Sequence, residues 1–170
     1  MNTFYLLDAN FFITSARNFY AYDIAPGFWR QMQKCLLYPE VVVIQPVVNE
    51  IKQDYEIGPW LKDIRDFSAF SVKRKDIVEA YGKVIQYVST CGFYSAAGIG
   101  SWMPLEIADP WLVAAASVMG TAQIVTQEVP SKNLSIKAKT KKVKIPDVAS
   151  HFQVSCISMF DFMRKMEIKL

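Results

Sequence analysis

Phe4-Tyr5-Leu6-Leu7-Asp8-Ala9-Asn10 sets four large apolar residues in a row directly before a carboxylate and an amide. Such a run predicts a strand buried on both faces, as in the middle of a parallel sheet. Open α/β sheets bind their ligands at the carboxyl ends of central strands. Asp8 and Asn10 therefore stand where a site is expected. A carboxylate directly after a buried strand also needs a partner or an opening to water.

Outward from that strand, the β-branched run 41–44 predicts a second one, and 67–72, 122–126 and 154–157 predict a third, fourth and fifth. Helices are expected between them. Residues 11–18 supply the first, and 28–37 carry Phe28, Trp29, Met32, Cys35 and Leu36 at helical spacing. Pro46 suits a first helical turn, with Val47, Val48, Ile51 and Tyr55 on one face. Gly58-Pro59 breaks the chain before a short helix over 60–66, and 75–89 is amphipathic. Asp109 as N-cap and Pro110 at the first position open a helix that Gly120 closes. Pro146-Asp147 starts a short helix, and 159–166 forms the last. The segment 91–105, with Gly92, Gly98, Gly100 and Pro104, reads as a mobile loop or short helix over the site. This alternation predicts one α/β domain over residues 1–170. Its architecture is a three-layer α/β/α sandwich with a five-stranded, mostly parallel sheet and the first strand at its centre.

Composition narrows the chemistry. A hydrophobic fraction of 52% with 21% charged residues describes a soluble globular chain, and a net charge of +3 points to no partner. Cys35, Cys91 and Cys156 form no CxxC pair, which fits a reducing cytoplasm and argues against disulfides and zinc. His151 is the lone histidine, so histidine catalysis has little to work with. The apolar start contains Asp8 and no basic leader, so no signal peptide is expected. The longest apolar segment is interrupted by Gly120, Thr121 and Gln123, so no membrane span is expected either.

Asp8, Glu50, Asp109 and Glu128 fall near strand ends or the helix starts that follow them, with Asp147 as a second-tier acid. Gathered carboxylates repel and need a cation, and oxygen ligands without His or Cys select Mg²⁺ or Mn²⁺. Such an ion activates water and stabilises a phosphodiester under attack. Each acid has a plainer reading: Asp109 as a cap, Glu50 as a solvated edge, Glu128 and Asp147 as turn or helix-start acids. Lys137, Lys139, Lys141, Lys142 and Lys144 lie in a tract with no acid between Glu128 and Asp147. The tract is either a solvated loop or a basic flap for a phosphate backbone. In the first case the substrate path is expected around Arg17, Lys52 and residues 92–100. Phe11, Phe12, Trp29 and Trp111 read as core rather than as stacking platforms.

Leu6-Leu7-Asp8-Ala9-Asn10, Val48-Asn49-Glu50-Ile51-Lys52, Ala108-Asp109-Pro110-Trp111-Leu112 and Val125-Thr126-Gln127-Glu128 resemble, in order and spacing, the motifs of the PIN-domain (PilT N-terminus) family. Lys144-Ile145-Pro146-Asp147-Val148 and Cys156-Ile157 extend the resemblance over nearly the whole chain. The family comprises metal-dependent nucleases, many of them VapC-like toxins of type II toxin–antitoxin pairs. The resemblance implies a Mg²⁺- or Mn²⁺-dependent endoribonuclease with Asp8, Glu50 and Asp109 as core acids. Glu128 then contributes through a second metal or a water, and Asn10, Thr126 and Arg17 position substrate. It also implies RNA as substrate, a cognate antitoxin that covers the acids, and a possible homodimer. A non-cleaving RNA- or protein-binding module and a structure-specific DNA nuclease are the alternatives.

Overall fold

The computed structural model describes residues 3–169. Strand β1 (Phe4–Leu7) lies inside a four-stranded sheet with β2 (Val41–Val42), β3 (Ala122–Val125) and β4 (Ser155–Ile157). The order is β2-β1-β3-β4, and every neighbouring pair is parallel. Leu6 sits opposite Val42 on one side and Ile124 on the other. Successive strand residues point to opposite faces, so full burial of both Leu6 and Leu7 requires cover on both faces. Helices flank the sheet as the alternation predicts: an α/β fold around a parallel sheet.

The sheet has four strands, not five. Residues 67–72 form no strand; only Phe70 bridges Ile44, with Phe70 N–H donating to Val43 O at 2.8 Å and Gln45 N–H to Phe70 O at 2.9 Å. The physical reason lies in the neighbour. The chain leaves β2 and enters helix α3 (Gln45–Ile51) at once, so no ladder remains to extend.

Three helix boundaries also differ from the sequence expectation. Helix α1 (Ala9–Thr14) passes into a π-helical turn, Ser15–Phe19, whose Ser15 hydroxyl donates back to Phe11 O. Helix α4 (Ile57–Lys62) contains Gly58-Pro59 instead of following it. Asp54 Oδ1 accepts the Glu56 and Ile57 N–H groups at 2.9 and 3.0 Å, and a Cβ at Gly58 would meet Lys52 O at 2.9 Å. Helix α7 (Ala108–Val118) makes Asp109 its second residue, with Ile107 at the cap position. Asp109 is therefore free of the capping role.

Helices α2 (Pro26–Cys35), α5 (Lys75–Thr90), α6 (Ala96–Trp102), α8 (Ile145–His151) and α9 (Met159–Lys165) complete the chain. Segment 91–105 thus resolves to a helix, begun by Ser95, whose hydroxyl accepts Gly98 N–H. The core centres on α7, which packs on α3, α5, α8 and β3. Its buried Ala114, Ala115 and Ala116 allow that close approach. Phe11, Phe12 and Trp29 are buried as expected, each contributing about 1.5–3 kcal/mol of burial. Trp111 is only partly buried and stacks on Tyr81. No helix among the described residues is long and apolar enough to cross a membrane.

Candidate active site

Parallel pairing carries Leu7 and Val125 side by side, so the next residues, Asp8 and Thr126, emerge together at the carboxyl edge. Asp8 N–H donates to Val125 O at 3.1 Å. Thr126 Oγ1 donates to Asp8 Oδ2 at 2.8 Å and accepts Glu128 N–H at 3.1 Å. Asp8 is 1% exposed and Thr126 3%, so this pair is interior. Burial pushes Asp8 up to about 6 against the bonds from Thr126 and the Asn10 amide, and the charges of Glu128 and Glu50 add to the rise. The Asn10 amide is near enough to favour the anion, although Asp8 makes no side-chain cap bond to α1.

Glu50 and Glu128 reach the same region because each satisfies a helix start. Glu50 Oε1, on α3, accepts Ala108 N–H at 3.1 Å, supplying the cap that Ile107 lacks. Burial raises the Glu50 pKa, and that amide opposes the rise. Glu128 Oε2 accepts Ile145 N–H at 2.7 Å at the start of α8. Glu50 and Glu128 each keep a second oxygen with no protein hydrogen bond among the described residues. Asp109, partly buried, accepts no hydrogen bond from any described residue. Burial first, then Asp8, Glu128 and Glu50, push Asp109 well above the carboxylate range, with Lys142 opposing.

The four first-tier acids thus share one electrostatic neighbourhood. Asp147 does not join it: its oxygens accept Ser131 N–H at 2.8 Å and Ser131 Oγ–H at 2.6 Å, latching the lysine tract to α8. Arg17 is exposed and pairs with Asp54 at 2.8 Å. Asn10 lines a cleft of about 320 Å³ with Glu128, Gln127, Lys142 and Lys144.

The lysine tract is a held strap. Thr140 bridges Tyr94, its N–H donating to Phe93 O at 3.0 Å and its carbonyl accepting Ser95 N–H at 2.9 Å. Gly98 lets α6 close on it, since a Cβ there would meet Thr140 O at 3.0 Å. Lys142 and Lys144 reach the cleft, while Lys137, Lys139 and Lys141 are exposed and outside its lining. Gln127 and the two glutamate caps were not legible in the sequence, because a cap supplied from a distant element leaves no local pattern.

Carboxylate oxygens without His or Cys suit Mg²⁺ or Mn²⁺. Repulsion acts over several ångströms, whereas ligation needs donors near 2.1 Å, roughly, from one point. That convergence is not present: among the described residues, no group of three or more His, Cys, Asp or Glu is placed to hold a metal. The donor type fits; side-chain rotation must supply the rest.

No curated protein and no solved structure matches the chain significantly. A family model described as "Domain of unknown function (DUF4411)" matches residues 5–170, and the chain belongs to that family.

Proposed function

We propose that the protein is a metal-dependent endoribonuclease built as a three-layer α/β/α sandwich of PIN type. The observation that carries the reading is Asp8, interior at the end of a central strand, with Glu50 and Glu128 close enough to raise both its pKa and that of Asp109. A fold that gathers uncompensated carboxylates at neutral pH favours a cation among them. Mg²⁺ or Mn²⁺ bound there supplies a more acidic water and neutralises charge on the phosphodiester. Asp8, Glu50, Asp109 and Glu128 are the residues that would hold it. Thr126 and the Asn10 amide fix the Asp8 carboxylate, and Lys142 and Lys144 hold the RNA phosphates outside the acids.

Calorimetric titration with Mn²⁺ tests the reading. One-site or two-site binding by the wild type, lost in Asp8→Asn, supports it; no Asp8-dependent binding removes it. The lack of three converged donors favours a second reading, a non-cleaving RNA-binding module on the same fold. That reading survives if RNA binds and Mn²⁺ does not. Cleavage of DNA in preference to RNA would reassign the substrate. The toxin role adds a cytoplasmic location and an antitoxin that offers an Arg or Lys to the same acids. Growth arrest on expression, abolished by Asp8→Asn, is its test.

The strap yields a separate expectation. Lys142→Gln with Lys144→Gln lowers RNA affinity and reduces the salt slope by about one to two ions, since single strands release roughly 0.7 ion per neutralised phosphate. Changing Lys137, Lys139 and Lys141 together has a smaller effect, because they lie outside the cleft. Anisotropy titrations across a salt series read both, and equal effects of the two sets would remove Lys142 and Lys144 from the RNA path.

A further inference from the structure

Two clefts meet beside the acids and divide their charge. The smaller carries Lys142 and Lys144. The larger, about 610 Å³, has Val129, Pro146 and Ile157 in its walls with Gln127 and Gln153, and no lysine or arginine. Gln127, Glu128 and Val129 line both, so the two clefts are neighbours that share these residues. A cationic compartment suits phosphate. One with apolar walls, amide groups and no cation, whose single carboxylate is Glu128, suits a flat group with polar edges, and its volume is in the range of small-ligand sites.

We propose that the larger cleft is a nucleobase subsite, which takes an unstacked base of single-stranded RNA while Lys142 and Lys144 hold the adjoining phosphate. It rests on the RNA reading given above. Two observations point to a ligand. Gln127 Nε2 is shut away from solvent with no acceptor among the described residues, a state that rotation toward a base-edge acceptor relieves. Gln153 has φ 58°, the left-handed region, where it ends α8. Its N–H donates to Ser150 O at 3.1 Å, and Val154 N–H donates to Ala149 O at 2.9 Å. Glycine is the usual residue at such a cap. A glutamine is strained there, and its side chain makes no hydrogen bond among the described residues while lining the cleft. An amide offers both donor and acceptor to a base edge, which is accessible only when the base is unpaired.

The probes are a fluorescent octaribonucleotide and an octamer of abasic spacers, titrated in EDTA so that nothing is cleaved. The wild type should bind the RNA about tenfold more tightly than the abasic chain. Gln153→Gly and Gln127→Ala should each weaken RNA binding about three- to tenfold and leave the abasic chain unchanged. Gln153→Gly should also raise the melting temperature, so weaker binding cannot be ascribed to a damaged fold. Equal affinity of the wild type for both octamers, or unchanged RNA affinity in both variants, overturns the subsite. If neither octamer binds, the RNA reading and the subsite fall together. If the RNA is preferred but Mn²⁺ does not bind, only the nuclease reading falls.

Discussion

Asp8→Asn is expected to raise the stability of the metal-free protein at pH 7.5 by about 3 kcal/mol and, on the proposed nuclease reading, to abolish Mn²⁺ binding and RNA cleavage. The first figure follows from the lift of Asp8 from 3.8 to about 6, at about 1.4 kcal/mol per unit. A group whose folded pKa is raised contributes stability that is full below the unfolded value. That contribution fades as pH rises and is gone above about 6. The ionised Asp8 of neutral pH is therefore the destabilising form, and a neutral amide of the same shape removes it. A melting-temperature gain of about 6–12 °C is expected at pH 7.5, with little change near pH 4. Asp109 and Glu50 are raised in the same direction, so the variant keeps part of the wild type's loss of stability between those pH values. Scanning calorimetry in EDTA reads this directly. Added Mn²⁺ should raise the wild type's melting temperature and leave the variant's unchanged. Asp54 is the control of opposite sign. Burial opposes its charge, yet the Ile57 and Glu56 amides and Arg17 hold it below the carboxylate range, so Asp54→Asn should destabilise. A lower melting temperature for Asp8→Asn at pH 7.5 would show that Asp8 is a structural acid like Asp54.

How much of this was legible in the sequence depends on whether the signal was local. Phe4–Leu7 was readable because a strand buried on both faces needs uninterrupted apolar residues. Residues 67–72 looked comparable, but a strand also needs a neighbour with free backbone, and β2 turns into α3 too soon to offer it. Asp8 was readable because a carboxylate at the end of a buried strand is costly. Asp109 followed a cap-like Asp-Pro pattern and was misplaced by two positions, since the cap position is Ile107 and the capping carboxylate comes from Glu50 on another helix. Asp147 fitted the acidic pattern, but Ser131 engages both of its oxygens. The lysine tract showed its charge and not its anchorage. Pairing with Phe93–Ser95 is a contact between remote segments, with no periodicity to announce it.

Thr126→Val carries the second large effect, and it separates an ionised Asp8 from a neutral one. Valine keeps the volume of threonine, so no cavity forms; only the hydroxyl goes. That hydroxyl donates to Asp8 Oδ2 and accepts Glu128 N–H, and both bonds lie at buried or partly buried atoms. A hydrogen bond to a charged group contributes about 1.5–3 kcal/mol and an unpaired amide costs about 1–3 kcal/mol. A loss of about 3 kcal/mol at pH 7.5 is expected, as a fall in the denaturation midpoint at constant slope. The same change made in the Asp8→Asn background should cost only about half as much, because the acceptor is then neutral. Equal losses in the two backgrounds would mean that Thr126 supports the loop after β3 and not the charge on Asp8. Thr126 is the largest influence holding the Asp8 pKa down, so its removal lifts that pKa further. On the proposed nuclease reading, Mn²⁺ binding by Thr126→Val should then persist with its pH profile displaced upward, whereas Asp8→Asn should lose binding at every pH. Thr126→Ser, which keeps the hydroxyl, should return the profile to that of the wild type.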